Sequence, residues 1–575
     1  MLNRGSGPIV VQADLTVLLD DRHLHAAAAR EKLSQFADLI KRPGDIHTYR
    51  ITPLSLWNAA AAGMAAEDIL GCLQCYSGCE LPLKARSRIH MLADRYGKLQ
   101  LQCSPEGELL LYGNEALLQS LAELPAIRLF VSEGGAEGQR TIRPEGRGLL
   151  KQELVRLGYP VVDEAGYRRG EALAVELRNS SGTGNDFGLR DYQEQAVDMF
   201  YRAGRQDGGS GVLVLPCGAG KTVIGIAALA RLACDTLILT SNVTSVKQWK
   251  QELLDKTTLT EAEIGEYAAS SKQVRPVTIA TYQILTHKRP RTDEYSHMKL
   301  FQERNWGLII YDEVHLLPAP VFRMTADLQA TRRLGLTATL IREDGREEDV
   351  FSLIGPKRFD MPWRMLESRR WIARVECTEI RVPLALDEGD AYANAEPKAR
   401  ARIAGENTEK LQTVKRLIEK HPGKQVLVIG QYLQQLHAAA CALRAPLLTG
   451  ELPHHEREKL YELFKRGEVP VLVVSKVANF AVDLPDAAVA IQISGSYGSR
   501  QEEAQRIGRI LRPKREDNRA WFYTLVSEGT SEVAYARKRQ LFMLEQGYRY
   551  DICRWNSSAA AAEAASLLHI RETAQ

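Results

Sequence analysis

Residues 212–229 read VLVLPCGAGKTVIGIAAL. An apolar strand-like run leads into a Gly-containing turn, then Lys-Thr, then a small apolar stretch of helical character. That order is the context a phosphate-binding loop requires. Gly218 and Gly220, with Ala219 between them, let backbone N–H groups curl toward phosphate with no large side chain in the way. Lys221 supplies a point charge to the β- and γ-phosphates, the Thr222 hydroxyl is placed for Mg²⁺, and the helix N-terminus adds its positive dipole end. The general pattern has its first glycine where this chain has Leu215, so on this motif alone a chance match stays open.

A second motif bears on the same chemistry. WGLIIYDEVHLLP, residues 306–318, is an apolar strand ending in Asp312-Glu313. Adjacent carboxylates repel unless a cation neutralises them, which makes them a poor structural choice at a strand end. Asp312 suits Mg²⁺, and Glu313 suits orienting and deprotonating an attacking water. The alternative is an exposed acidic turn. Lys221-Thr222 upstream favours a site that binds and hydrolyses ATP with Mg²⁺.

Strand signals of this kind recur. GVLVLP, TLILTS, VTIATY, GLIIYDE and RLGLTAT form one series; QVLVIGQ, APLLTG, VPVLVVS, AVAIQIS and WFYTLV form another. Buried strands alternating with helices mean parallel sheets covered on both faces. Two series imply two α/β lobes with a cleft between them, and ligands sit beyond the carboxyl ends of such strands. In the second series SRQEEAQRIGRILRPK, residues 499–514, spaces Gln505, Arg509 and Arg512 as one helical face. The plain reading is a basic helix surface. The functional one is that Arg509 and Arg512 reach the γ-phosphate, a contribution of roughly 10³–10⁵ in rate.

The chain of 575 residues is too long for one core, and ~150 residues per domain suggests about four units. The formal charge of +3 does not announce a nucleic-acid partner, so any phosphate contact must come from a local groove. No signal peptide or membrane span is evident, and nine sparse cysteines suit a reduced, cytoplasmic protein. Cys72, Cys75 and Cys79 have spacings that fit either metal ligands or, together with Ile69 and Tyr76, an apolar helix face. HAAAAREKLSQFADLI and LWNAAAAGMAAEDILGCLQCY read as helices, PIVVQADLTVLL and YGKLQLQC with GELLLYG as strand pairs, and NSSGTGNDFG (179–188) as a linker. LGLTATLIREDGREED, residues 334–349, ends in a charge run that is by default a solvated loop.

These motifs, with LRDYQEQAV, SNVTSVKQWKQEL, IATYQILTHK, YDEVHLLPAPVFR, FSLIGPKRFD, SKVANFAVDLPDAAVAIQIS and EEAQRIGRILR, resemble superfamily 2 helicases and more narrowly the XPB family of DNA repair and transcription helicases. The likeness runs over about residues 185–545, while HTYRITPLSLWNAAAAG and LGYPVVDEAGY look like the N-terminal and damage-recognition regions of bacterial XPB-like proteins. The resemblance implies two tandem RecA-like lobes preceded by mixed α+β domains: 1–102 N-terminal, 103–180 damage-recognition-like, 185–365 lobe 1, 366–545 lobe 2 and 546–575 a tail. It implies an ATP-dependent 3′→5′ DNA helicase acting on single strands and on duplex or forked DNA. A repair nuclease or repair complex would be its partner, and the nucleoid its place.

Carried over residue by residue, the resemblance gives Gln193 with Arg190 the adenine edge and gives Thr337 and Thr339 the coupling of nucleotide state to DNA. Ser241, Lys247, Thr281, Ser475 and Lys476 face the tracked strand. Arg342, Glu343 and Asp344 become the RED triple implicated in strand opening, which turns the charge run into a tool. Lys398, Arg400 and Arg402 stand where the family's thumb insertion would present a phosphate-facing row. A double-strand translocase without unwinding, an RNA helicase of the DEAD type and a non-motor nucleotide switch are the competing readings. His315 in DEVH together with the RED triple counts against the RNA helicase, and Glu313, Arg509 and Arg512 count against the switch.

Overall fold

The computed structural model describes residues 7–41, 45–132, 136–180, 184, 186–269, 271–287, 295–329, 331–340, 345–475, 487–495, 500–514, 517–555 and 568–569. Contacts divide the chain into two compact units. One takes in Met1–Ile40, Asp45–Leu215 and Gly220–Asp360; the other is in the main Met361–Gln575.

At the centre of the first unit is an eight-stranded sheet. Its order is Ser271–Lys272, Ile264–Ala268, Val277–Thr281, Thr236–Thr240, Leu308–Asp312, Arg332–Thr337, Ser210–Val214 and Lys357–Asp360. Every pairing is parallel except that of the short edge strand Ser271–Lys272. The central strands are buried on both faces, as their unbroken apolar runs require. Registers of Thr337 with Val214, of Asp312 with Leu336 and of Thr240 with Thr281 bring five strand ends to one edge of the sheet. The phosphate loop, the acidic pair and the TAT segment all leave from that edge.

Two smaller sheets precede it. Ile9–Val11, Thr16–Asp20, Ile46–Arg50 and Asp38–Lys41 form one, in that spatial order, with the first two pairings antiparallel. Gln139–Ile142, Leu109–Tyr112, Leu99–Cys103 and Val161–Glu164 form the other, its last pair parallel. A boundary at 102/103 would therefore cut a strand, and this sheet begins at Leu99. The helix Arg147–Arg156 fastens it to the large sheet. Asp163 accepts from Arg147 at 2.6 Å and from Lys151 at 2.8 Å, and Lys151 donates to Gln329 at 2.6 Å. Burial opposes the charge on Lys151 and lowers its pKa to about 8, while the two cations hold the Asp163 carboxyl well below the usual range.

The second unit carries another eight-stranded sheet, ordered Leu447–Leu448, Val471–Val474, Val426–Ile429, Val489–Gln492, Arg519–Ser527, Arg374–Val382, Tyr550–Arg554 and Leu568–His569. All pairings but the last are parallel. Each unit thus contains one RecA-like α/β lobe, built on its eight-stranded sheet. Residue 366 falls inside the helix Trp363–Ser368, and the contacts divide the chain shortly before it, between Asp360 and Met361. Tyr550–Arg554 pairs with Arg374–Val382, so the second lobe runs past 546, and the tail expected from there is in part a strand of the sheet.

Local expectations fail where a pattern hides a break. HAAAAREKLSQFADLI is the helix Ala26–Leu33 followed by the strand Asp38–Lys41. LWNAAAAGMAAEDILGCLQCY splits into Pro53–Ala61 and Ala66–Tyr76 around Gly63, whose φ of 94° ends the first helix. The buried face of the second is Ala66, Ile69 and Leu73. Cys72 is half-buried, Cys75 exposed, and exposed Cys79 lies beyond the helix, so the cysteines do not form the apolar face expected of them. Among the described residues, no three His, Cys, Asp or Glu side chains are grouped to hold a metal. No helix among them is long and apolar enough to cross a membrane.

Candidate active site

The strand Ser210–Val214 feeds the loop, and the helix Lys221–Leu232 receives it. Gly218 and Gly220 both have φ of 81°, the left-handed region that glycine enters without strain. A Cβ at Gly220 would stand 2.6 Å from Gln193 Nε2, so the amide would have to move aside. Gln193 is buried, and its Oε1 accepts the Arg190 backbone N–H at 3.0 Å, so it caps the helix Asp191–Tyr201 and points its amide at the loop. Arg190 lies 3.4 Å from the Tyr192 hydroxyl. The two residues expected at the adenine edge thus form one structural unit beside Gly220.

Lys221 Nζ lies 3.4 Å from Glu313 Oε1. The intervening strand order is loop strand, TAT strand, acidic strand, so the pair forms across the sheet edge. Asp312 accepts from Trp249 Nε1 at 2.9 Å, and its backbone carbonyl accepts from the Tyr282 hydroxyl at 2.9 Å. Burial, and then the charge of Glu313, push the Asp312 pKa up to about 6. Such a carboxylate gains from a bound cation. Half-buried Thr222 is the second residue of the helix that opens at Lys221. A hydroxyl and a carboxylate are hard oxygen donors and fit Mg²⁺.

One residue of this site had not been given a role. His315 is buried, with Nδ1 2.6 Å from Thr337 Oγ1 and 3.5 Å from Glu313 Oε2. Thr337 donates its hydroxyl proton to the Thr339 carbonyl at 2.6 Å and accepts the Thr339 N–H at 3.1 Å. The imidazole must therefore donate from Nδ1. A single ring, hydrogen-bonded to the TAT segment, thus stands 3.5 Å from the Glu313 carboxylate. Its sequence signal was the fourth letter of DEVH.

The residues expected on the tracked strand divide by exposure. Lys247 is exposed and Ser241 half-buried, with Ser241 Oγ accepting from Asn242 at 2.7 Å. Thr281 and Ser475 are buried. The Thr281 hydroxyl accepts from the Ile284 N–H at 3.3 Å and caps a short helix, so its side chain has a structural task. Lys476 and the triple Arg342, Glu343 and Asp344 lie outside the described residues. The row Lys398, Arg400, Arg402 does not hold together, because i, i+2 positions on the helix Pro397–Glu406 face about 200° apart. Arg400 instead donates to the Ala393 and Ala395 carbonyls, and Arg402 pairs with Glu406 at 2.8 Å.

In the second unit the helix Arg500–Gly508 carries Gln505 but stops before Arg509 and Arg512. The chain continues in tight turns, with N–H groups of 509, 510 and 511 bonding three residues back. The three residues therefore do not share one helical face. The helix is held by buried groups that the pattern did not distinguish: Arg506 donates to Gln492 at 2.6 Å, and Glu503 accepts from Tyr550 at 3.0 Å.

Comparison with known proteins places this architecture. A DNA 3'-5' helicase XPB of Mycobacterium tuberculosis is 51% identical over 547 residues, covering 95% of this chain and 97% of the relative. The chain belongs to the XPB helicase family. A DNA 3'-5' helicase XPB of Kineococcus radiotolerans is 50% identical over 551 residues, covering 95% of this chain and 96% of its own length. A general transcription and DNA repair factor IIH helicase/translocase subunit XPB of Encephalitozoon cuniculi is 33% identical, covering 95% and 83%. The ERCC3/RAD25/XPB C-terminal helicase family matches residues 366–574 of this XPB-family chain. The type III restriction enzyme, res subunit, family matches 186–342, and a helicase conserved C-terminal domain matches 9–133.

Proposed function

We propose that this XPB-family chain is an ATP-driven, 3′→5′ DNA helicase that couples hydrolysis at Lys221, Asp312 and Glu313 to duplex opening in DNA repair. The observation that carries the reading is the Lys221–Glu313 pair at the carboxyl edge of a RecA-like sheet, with His315, hydrogen-bonded to Thr337 of the TAT strand, 3.5 Å from Glu313. Thr222 and Asp312 would hold Mg²⁺, which when bound neutralises the developing phosphate charge. Gln193 with Arg190 would read the adenine, and the loop N–H groups and Lys221 bind the phosphates. Gln505, Arg509 and Arg512 would supply charge from the second lobe. Ser241 and Lys247 have the exposure to contact a strand; Thr281 and Ser475 would act by placing their neighbours. Residues 99–164 fold as a separate small sheet, which suits the damage-recognition-like role given to that region. A repair nuclease or repair complex is the expected partner, at the nucleoid.

The test is ATPase rate with single-stranded DNA, duplex DNA and RNA side by side, together with unwinding of 3′- and 5′-tailed duplexes. DNA-specific stimulation and opening of the 3′-tailed duplex alone are expected. Stimulation by RNA alone, or opening of only the 5′-tailed duplex, would refute the reading. Replacing Arg342, Glu343 and Asp344 together with Ala should spare most of the ATPase and lower the base pairs opened per ATP. An unchanged ratio returns that run to a solvated loop.

A further inference from the structure

A cavity of about 1040 Å³ opens in the first unit, and none of the nucleotide-site residues lines it. The volume is at the upper end of what ligand pockets occupy. Val155, Val161 and Phe351 make part of its wall apolar, and Tyr96 and Tyr167 add aromatic faces. The opposite character comes from Arg202, Arg205 and Arg358.

The charges do not balance. Asp207 accepts from Arg202 at 3.1 Å and from Arg205 at 3.1 Å. Among the described residues no carboxylate pairs with Arg358: its Nε donates to the Ser210 carbonyl at 3.1 Å and its Nη2 to the Asp207 carbonyl at 2.8 Å. The other charged lining groups have partners of their own: Asp163 takes Lys151 together with Arg147, and Asp198 takes Arg231. Three guanidiniums thus share one carboxylate around a half-enclosed space. A buried charge without a counter-ion is costly, and an anion in the cavity would relieve it. Burial and the neighbouring Arg202 both disfavour the charged form of Arg358, which is the cost such an anion would offset.

The backbone that delivers Arg202 is itself unusual. Arg202, Ala203 and Gly204 have φ of 51°, 52° and 75°, three left-handed residues in a row. They follow directly on the helix Asp191–Tyr201, whose first turn holds Gln193. Strained backbone persists where surrounding structure over-determines it, and functional sites are where it concentrates.

We propose that this cavity binds one nucleotide, its phosphate on Arg202 and Arg358 and its base against the aromatic and apolar wall, taken either as a free nucleoside monophosphate or as an unpaired nucleotide of a DNA strand. A phosphate needs charge-assisted donors, which guanidiniums supply in a fixed fork. A base needs a flat apolar or aromatic face and tolerates any sequence. Inorganic phosphate would use only half of such a site. The strand source rests on the proposed DNA activity; the free-nucleotide source does not.

The experiment titrates thymidine 5′-monophosphate into the full-length protein at saturating ADP and Mg²⁺, so that the phosphate loop is occupied. In parallel, a 3′-tailed duplex with 5-iodouracil in its tail is photocrosslinked and the adduct mapped. One additional site for the monophosphate, at least tenfold tighter than for inorganic phosphate, supports the free source. An adduct on Tyr96 or Tyr167 supports the strand source. Arg202→Gln, which removes charge, and Ala61→Trp, which fills the cavity from the end of the helix Pro53–Ala61, should each weaken binding or crosslinking at least tenfold with ATPase activity kept. The proposal is overturned if neither probe engages the cavity, if phosphate binds as tightly as the nucleotide, or if both variants behave as wild type. Loss of DNA-stimulated ATPase in the wild-type protein would refute the helicase reading while leaving the monophosphate titration valid.

Discussion

Glu313 sits at φ 52° and ψ 53°, a left-handed conformation that costs a residue with a Cβ roughly 1–2 kcal/mol. The site holds it there with Lys221 at one carboxylate oxygen and His315 near the other. That geometry yields two residue-scale predictions. Lys221→Ala should abolish turnover, and Glu313→Gln should retain ATP binding while hydrolysis falls by at least about 10²; equilibrium nucleotide binding and steady-state ATPase separate the two effects. His315→Ala should behave differently. It removes the ring that lies between Glu313 and Thr337 without touching the phosphate loop, so basal ATPase should survive while stimulation by DNA drops several-fold. The ratio of stimulated to basal rate is the quantity to measure, and an unchanged ratio would leave His315 as packing alone.

At the scale of elements, the helix Arg147–Arg156 binds the small sheet to the first RecA-like sheet through a close approach. A Cβ at Gly148 would run into the Ala326 backbone on the helix Ala319–Asp327. Gly148→Ala should therefore destabilise by about 1–3 kcal/mol, as overpacking does, lowering the unfolding midpoint of the first unit with no change in the chemistry. Thr281→Val should cost about 1 kcal/mol through the lost cap and weaken DNA binding only by way of the helix it caps, because the hydroxyl faces that helix. These contacts mark the limit of what the chain reveals before it folds. Strands with unbroken apolar runs were legible, and so was the meeting of the Gly218–Thr222 loop with Asp312-Glu313, because each motif ends a strand of the same parallel sheet. Arg374–Val382 was not legible. It buries Glu379 beside Arg381 and the Gln540 amide, so its sequence reads as polar. The end of Arg500–Gly508 was not legible either. RIGRILR has a continuous helical period, yet the helix ends at Gly508 and gives way to tight turns over 509–511.

The whole molecule carries a formal charge of only +3, and its largest electrostatic effects are local. One of them gives the second unit an acid limit. His421 follows the helix Glu409–Lys420, buried with Nε2 2.8 Å from the Tyr523 hydroxyl and its ring centroid 4.7 Å from that of Trp521. A helix C-terminus ordinarily favours a protonated histidine. Burial, and then the charges of Lys420 and Lys424, win here and lower its pKa to about 4. In the unfolded chain the group titrates near 6.5. The folded form therefore has this contribution in full above about pH 6.5 and loses it as the pH falls toward 4, because unfolding then takes up a proton the folded state refuses. Denaturant midpoints between pH 7 and pH 4.5 should fall for the wild type, with an uptake of up to one proton from this site. In His421→Gln, which keeps a polar partner for Tyr523 but does not titrate, the decline should be shallower by that proton. Parallel curves for the two proteins would mean that the ring ionises in place and that neither its burial nor the lysines beside it set the acid limit.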